Sequence, residues 1–186
     1  MRLKRHSNLV SDHAFLSPSS YHWINYTEEK LAYRWKTARA ALEGLADHRY
    51  AAEAILLRET QMDDEHTLGM YINDCIRWRM EPELVLYFSD NCFGTADAIS
   101  FRRHVLKISD LKTGVTRTSE HQLEVYTALF CLEYDVDPYD IEIELRIYQS
   151  DEVREYTPDP SHIAHIMETI IDFDARLNQL RLEEQL

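Results

Sequence analysis

Between residues 94 and 114 the chain reads Gly94-Thr95-Ala96-Asp97-Ala98-Ile99-Ser100-Phe101-Arg102-Arg103-His104-Val105-Leu106-Lys107-Ile108-Ser109-Asp110-Leu111-Lys112-Thr113-Gly114. Two short runs rich in β-branched and aromatic residues, Ala96 to Phe101 and Val105 to Asp110, flank a polar turn at Arg102-Arg103-His104, which is the pattern of a β-hairpin. A hairpin sets the start of its first strand beside the end of its second, so Asp97 and Asp110 reach the same edge of the sheet. The two-residue period of a strand puts Lys112 on the face of Asp110. Two carboxylates held together supply the hard oxygen ligands that Mg²⁺ or Mn²⁺ takes, and an ammonium beside them can orient an attacking water and offset charge on a phosphate. An Asp at a strand end is also an ordinary turn residue, and an Asp-x-Lys triplet arises by chance. The order of the whole stretch, followed by a helix opening at Gln122-Leu123-Glu124-Val125-Tyr126, carries the reading.

Working outward, Glu83 to Phe88 reads as a third strand, Thr118 to Glu133 as a helix, and Tyr139 to Gln149 as a half-buried strand through Ile141, Ile143, Leu145 and Ile147. Toward the N-terminus, Ser17 followed by Pro18 is a helix start. From Tyr26 to about Leu57 the residues Leu31, Trp35, Ala38, Leu42 and Leu45 recur at helical spacing, which predicts two helices with a break near Gly44. His66 to Met80 is a further amphipathic segment ended by Pro82, and Ser161 to Leu182 a final helix. The predicted fold is α/β, a mixed central sheet flanked by helices. Residues 1–186 are read as one domain, with a helical part at about 17–80, a sheet core at about 83–149 and the last helix at about 161–182.

Composition excludes several classes. A chain of 186 residues, 45% hydrophobic, supports one core. No apolar run is long enough for a membrane span, and Met1-Arg2-Leu3-Lys4-Arg5-His6 opens without an apolar stretch behind it, so a cytoplasmic protein with no membrane partner is expected. Cys75, Cys92 and Cys131 are odd in number and widely spaced, which suggests neither a disulfide framework nor a thiolate cluster. The net charge of −13 argues against a protein that coats nucleic acid. That charge is unevenly placed: Met1 to Thr60 holds nine basic residues against seven acidic, Ser119 to Pro160 two against twelve. Lys30, Arg34, Lys36 and Arg39 form the candidate surface for phosphates, and Arg102 and Arg103 read as solvated turn residues.

Gly94-Thr95-Ala96-Asp97, Ile108-Ser109-Asp110-Leu111-Lys112-Thr113-Gly114 and Gln122-x-x-x-Tyr126 resemble the successive motifs of the RecB-like branch of the PD-(D/E)xK nucleases. Leu16-Ser17-Pro18-Ser19-Ser20 through Trp23 resembles the N-terminal motif of phage-encoded relatives, and the likeness runs from about Leu16 to Gln149. It implies a restriction-endonuclease-like core and a metal-dependent DNA exonuclease of phage or mobile-element recombination and repair, working in a bacterial host on DNA with a free end. Asp97, Asp110 and Lys112 would be catalytic. In Gly44-Leu45-Ala46-Asp47-His48 the resemblance makes His48 a metal ligand, and it adds the backbone carbonyl of Leu111 to the ligand set. Gln122 and Tyr126, four apart on one helix face, would orient Lys112 or a phosphate and contact the substrate backbone; packing of Tyr126 in the core is the competing reading. Lys30, Arg34 and Arg39 are the further substrate contacts. The four cysteines of the iron-sulfur members are missing, so Mg²⁺ or Mn²⁺ without an iron-sulfur cluster is expected. A recombinase, a single-strand-binding protein or a helicase are the implied partners, and a homo-oligomer is compatible. An endonuclease on the same scaffold, and a non-catalytic acidic regulator of a host DNA-processing protein, are the alternative functions.

Overall fold

The computed structural model describes residues 14–114 and 118–184; Met1 to His6 lie outside the described residues. The chain groups into two compact units, Met1–Glu43 and Gly44–Leu186. In the first, Ser17 and Pro18 open a 3₁₀ helix, Pro18–Asn25, which is followed by the start of helix α1, Glu28–Leu57. Gly44 is a helical residue within α1, not the expected break. The stripe of Leu31, Trp35, Leu42 and Leu45 is exposed, at 37 to 69%. The residues of α1 that enter a core are Ala51, Ala54 and Ile55.

The second unit holds a five-stranded mixed sheet: β1 Glu81–Ser89, β2 Cys92–Arg102, β3 Val105–Lys112, β4 Glu142–Gln149 and β5 Glu152–Tyr156, in spatial order β1-β2-β3-β4-β5. All neighbours are antiparallel except β3 and β4, which are parallel. A parallel pair needs a crossover, and helix α3, His121–Tyr134, lies in the connection. Helices α2, Thr67–Arg77, and α4, Pro160–Glu183, complete the unit. The sheet is covered on both faces. Leu86, Ile99, Leu106, Ile108, Leu145 and Ile147 pack against Leu123, Leu129 and Phe130 of α3 and Ile163 of α4, while Ala98, Leu111 and Tyr148 pack against Tyr71, Ile72 and Cys75 of α2 and the end of α1. The interior strand β4 is buried on both sides near its end, as a strand between two helical layers must be.

Turn chemistry explains the tight corners. Arg103 and His104 adopt φ of 54° and 63° between β2 and β3, and Ser150 and Asp151 adopt 55° and 60° between β4 and β5. Left-handed pairs of this kind match the twist of the flanking strands. The Asp151 carboxylate also accepts from the Thr67 N–H at 2.8 Å and hydroxyl at 3.0 Å, tying the β4–β5 turn to the start of α2. Before β4, Pro138–Asp140 forms a 3₁₀ turn capped by Asp137, so the strand starts later than the expected Tyr139.

Gly69 of α2 shows how tightly that helix is seated: a Cβ there would run into the backbone carbonyl oxygen of Asp63. Backbone cannot step aside as a side chain can, so Gly69→Ala is expected to cost about 2 kcal/mol in urea denaturation, within the usual range for overpacking. Gly114→Ala, where an added Cβ meets nothing within 4 Å, is expected to change stability by less than about 0.5 kcal/mol. Equal stability of the Gly69 variant and its parent would show that α2 is not held at that distance.

Candidate active site

Pairing between β2 and β3 runs from Arg102 opposite Val105 to Ala98 opposite Ser109 and stops there. Beyond that rung β2 stays paired with β1, and β3 with β4, so the strands fork. Asp97 and Asp110 are the first residues past the fork, as the hairpin reading requires. The Leu111 N–H, beyond the last rung, donates to Asp97 Oδ2 at 2.9 Å. Asp110 continues the face of Leu106 and Ile108 and is 3% exposed. Its Oδ1 accepts from Lys112 Nζ at 2.9 Å. Its Oδ2 is buried and has no hydrogen-bond partner among the described residues. Such an atom normally costs stability unless something satisfies it.

The two carboxyls share an unfavourable environment. Burial pushes Asp97 above its ordinary value, the Asp110 charge pushes it further, and His48, the Leu111 N–H and Lys112 oppose the rise. Burial likewise raises Asp110, against the hydrogen bond and charge of Lys112 and the charge of His48. Groups held this way accept a cation readily, because the ion removes the cost of the buried charge.

His48 comes to this edge on α1, with its Nδ1 3.5 Å from Asp97 Oδ1. One turn earlier on the same face, a Cβ on Gly44 would stand 2.5 Å from Thr113 Oγ1. The glycine thus permits the close approach of helix to strand end that carries His48 inward. Glu83 joins the group, which the sequence reading missed: ligand atoms of His48, Glu83 and Asp97 all lie within 4.8 Å of one another. Glu83 falls between the rungs Pro82–Ala98 and Leu84–Ala96, opposite Asp97, and takes φ of 52°. On β2 the alternation slips at the same level, since Ala96 and Ile99 line one core and Ala98 the other. Counting rungs back from the Asp90-Asn91 turn sets Asp97 opposite Leu84, and only the register shift between Tyr87 and Ser89 brings it opposite Glu83.

On the other side of Asp110 a polar chain runs outward. Lys112 Nζ donates to Gln122 Oε1 at 3.2 Å, and Gln122 Nε2 donates to the Tyr126 hydroxyl at 3.3 Å. The Tyr126 ring lies over Gly94, where a Cβ would come within 3.0 Å of it, and packs at the margin of the core. The Tyr126 ring is thus packed, as the competing reading had it, and its hydroxyl ends the chain from Lys112. Leu111 buries its side chain under α2 and sends its N–H to Asp97.

Lys30, Arg34 and Arg39 belong to the first unit. Lys30 sits 4.7 Å from the centre of the Tyr26 ring, Arg39 pairs with Glu43 at 2.8 Å, and Arg34 lines a hollow with Phe15, Trp23 and Tyr26. Within the second unit, Arg102 and Arg103 are exposed at the β2–β3 turn, as the sequence reading had them. With Arg77, Arg79, Lys107 and Trp78 they line a pocket of about 450 Å³, at the end of β2 away from Asp97.

No protein-family profile matches the sequence, and no curated protein matches it. A solved structure described as "Crystal structure of SSO0001" is similar over 77% of this chain and 69% of its own, at 16% identity and a TM-score of 0.33. A likeness at that level carries no argument about function. Among the described residues no helix is long and apolar enough to cross a membrane.

The raised carboxyls have a consequence for stability. A carboxyl whose folded value lies above its unfolded one contributes stability that is present below the ordinary aspartate range and lost as pH rises through the raised value. In metal-free protein Asp97→Asn removes one of the two neighbouring carboxylate charges and keeps an acceptor for the Leu111 N–H. It is expected to gain about 1 kcal/mol in urea denaturation at about pH 8, and the gain should vanish toward about pH 4. A loss of stability at the higher pH would mean that the two carboxylates do not strain the site.

Proposed function

We propose that this chain is a divalent-metal-dependent nuclease on a PD-(D/E)xK core, acting on DNA from its ends. The observation that carries the reading is the convergence of Asp97, Asp110 and Lys112 at the fork between β2 and β3, with Asp110 Oδ2 buried and unpartnered among the described residues. The donor set fits a hard divalent cation. Asp97 and Asp110 would hold it, with His48 from α1 and the Leu111 carbonyl as further ligands and Glu83 as an additional carboxylate nearby. A site of mixed imidazole and carboxylate donors favours Mn²⁺ over a purely carboxylate one. When bound, the ion supplies charge and Lewis acidity against the phosphate.

The remaining steps belong to the chain itself. Asp110 and Gln122 fix the Lys112 ammonium at the edge of the site, where it offsets charge on the phosphate and orients the attacking water. The Tyr126 hydroxyl accepts from Gln122, which leaves its proton free to donate to the substrate backbone. Preference for ends follows from charge: at −13 the protein makes few phosphate contacts, and binding to duplex interiors is weak at physiological salt. A frayed end enters a confined site without the opening of an internal tract, which costs more than about 1 kcal/mol per stacked step. Lys30, Arg34 and Arg39 are the proposed phosphate contacts, Arg39 the weakest of them because Glu43 already holds it.

Three measurements test this. In calorimetric titration with Mn²⁺, Asp110→Asn should lose binding, whereas Lys112→Ala should keep it and lose cleavage by about 100-fold or more; full cleavage by Lys112→Ala sinks the mechanism. Linear DNA should be degraded while covalently closed circles survive. Cutting of both at similar rates indicates an endonuclease, and cutting of neither in any divalent metal favours a regulator that uses its acidic surface. Charge reversal of Arg34 should lower the slope of log affinity against log salt by about 0.9 on duplex DNA, and an unchanged slope places the DNA elsewhere.

A further inference from the structure

A second constellation stands apart from the fork. His121 is the first residue of α3, Glu124 lies one turn on, and His162 is in the first turn of α4. His121 Nδ1 is 2.9 Å and His162 Nε2 3.4 Å from Glu124 Oε2, and ligand atoms of the three lie within 4.8 Å of one another. We propose that these three residues form a zinc site that fastens α3 to α4, distinct from the Asp97–Asp110 centre.

The chemistry and geometry both favour that ion. Two imidazoles and one carboxylate are a borderline nitrogen-rich set, suited to Zn²⁺ and poor for Mg²⁺. Zinc bonds of about 2.0 to 2.1 Å arranged tetrahedrally separate ligand atoms by about 3.3 Å, and the two observed separations bracket that value. Glu124 is only 2% exposed, yet its carboxyl is held below its ordinary value. Burial works against this and is outweighed by the hydrogen bonds from His121 and Tyr156 and by the charge of His162. Glu124 is thus a buried carboxyl with a partner at each of its two oxygens. Its second oxygen, Oε1, accepts from the Tyr156 hydroxyl of β5 at 2.9 Å, the kind of outer contact that orients a ligating carboxylate. Asp159 caps α4 through the Ser161 N–H at 2.8 Å and so fixes the turn that carries His162. Both histidines are exposed, with side chains 80% and 47% accessible, which gives the ion an entry path and leaves solvent as its fourth ligand. On binding, the ion replaces the proton that otherwise bridges His121 and Glu124.

The experiment separates the two centres. In the Asp97→Asn/Asp110→Asn double variant, stripped with chelator and dialysed against Zn²⁺, elemental analysis should still find one zinc per chain, and a large excess of Mg²⁺ should not displace it. Co²⁺ in the same protein should give the intense visible absorption of a tetrahedral site. His121→Ala and His162→Ala, added singly to that background, should each abolish retention; both positions are exposed, and unchanged circular dichroism without metal shows that the variants fold. Tyr156→Phe should weaken binding about tenfold. Absence of zinc from the double variant, or its retention after either histidine is removed, overturns the proposal. Neither result depends on whether the chain cuts DNA.

Discussion

The fork between β2 and β3 sets the terms for everything around it. While the two strands remain paired, their backbone groups satisfy one another and their side chains belong to the two cores. Once they part, a backbone N–H in the interior needs a new partner, and Asp97 provides it through Leu111. A hydrogen bond to a charged acceptor contributes about 1.5 to 3 kcal/mol, but withdrawing a carboxylate from water costs several kcal/mol per ion. Asp97 and Asp110 therefore do not hold the sheet together. The apolar clusters on its two faces do, and they carry a pair of carboxyls that the fold by itself would be more stable without. Buried charges kept against such a gradient are a mark of a site shaped for a ligand.

What could be read from residues alone divides along a physical line. The hairpin, the meeting of Asp97 with Asp110 and the placement of Lys112 follow from the two-residue period of a strand, and Gln122 with Tyr126 from the spacing of a helix, so local geometry suffices. Glu83 depends on cross-strand register and on a left-handed residue inside β1, neither of which a hydrophobic pattern carries. β5 escaped notice because Glu152-Val153-Arg154-Glu155-Tyr156 is polar, as an edge strand should be, and because Ser150-Asp151 makes its turn without a glycine. The break expected at Gly44 confused two roles of glycine: there it makes room for Thr113 and does not end a helix. The stripe on α1 had a regular period, but period alone does not say whether another element covers it, and Trp35 and Leu42 are exposed.

The acidity of the chain also looks different once it is placed. Several acidic residues of Ser119 to Pro160 are engaged: Glu120 with Arg154, Glu124 with His121, and Glu144 with Lys107 and Arg146. Among the described residues Arg77, Arg79, Arg102 and Arg103 make no ion pair, and they gather at one pocket. Net charge thus understates how strongly positive one part of the second unit is, and potential at a surface follows local placement more than the total.

Helix α3 carries Gln122 and Tyr126 on the side of Lys112, and His121 and Glu124 on the side of α4 and β5. Its remaining length is buried through Leu123, Thr127, Ala128, Leu129 and Phe130. A helix clasped by polar contacts on opposite flanks can neither roll nor slide without breaking one set. The backbone that carries Gln122 is consequently held in place, so the amide facing Lys112 turns only about its own side-chain bonds and does not travel with the helix.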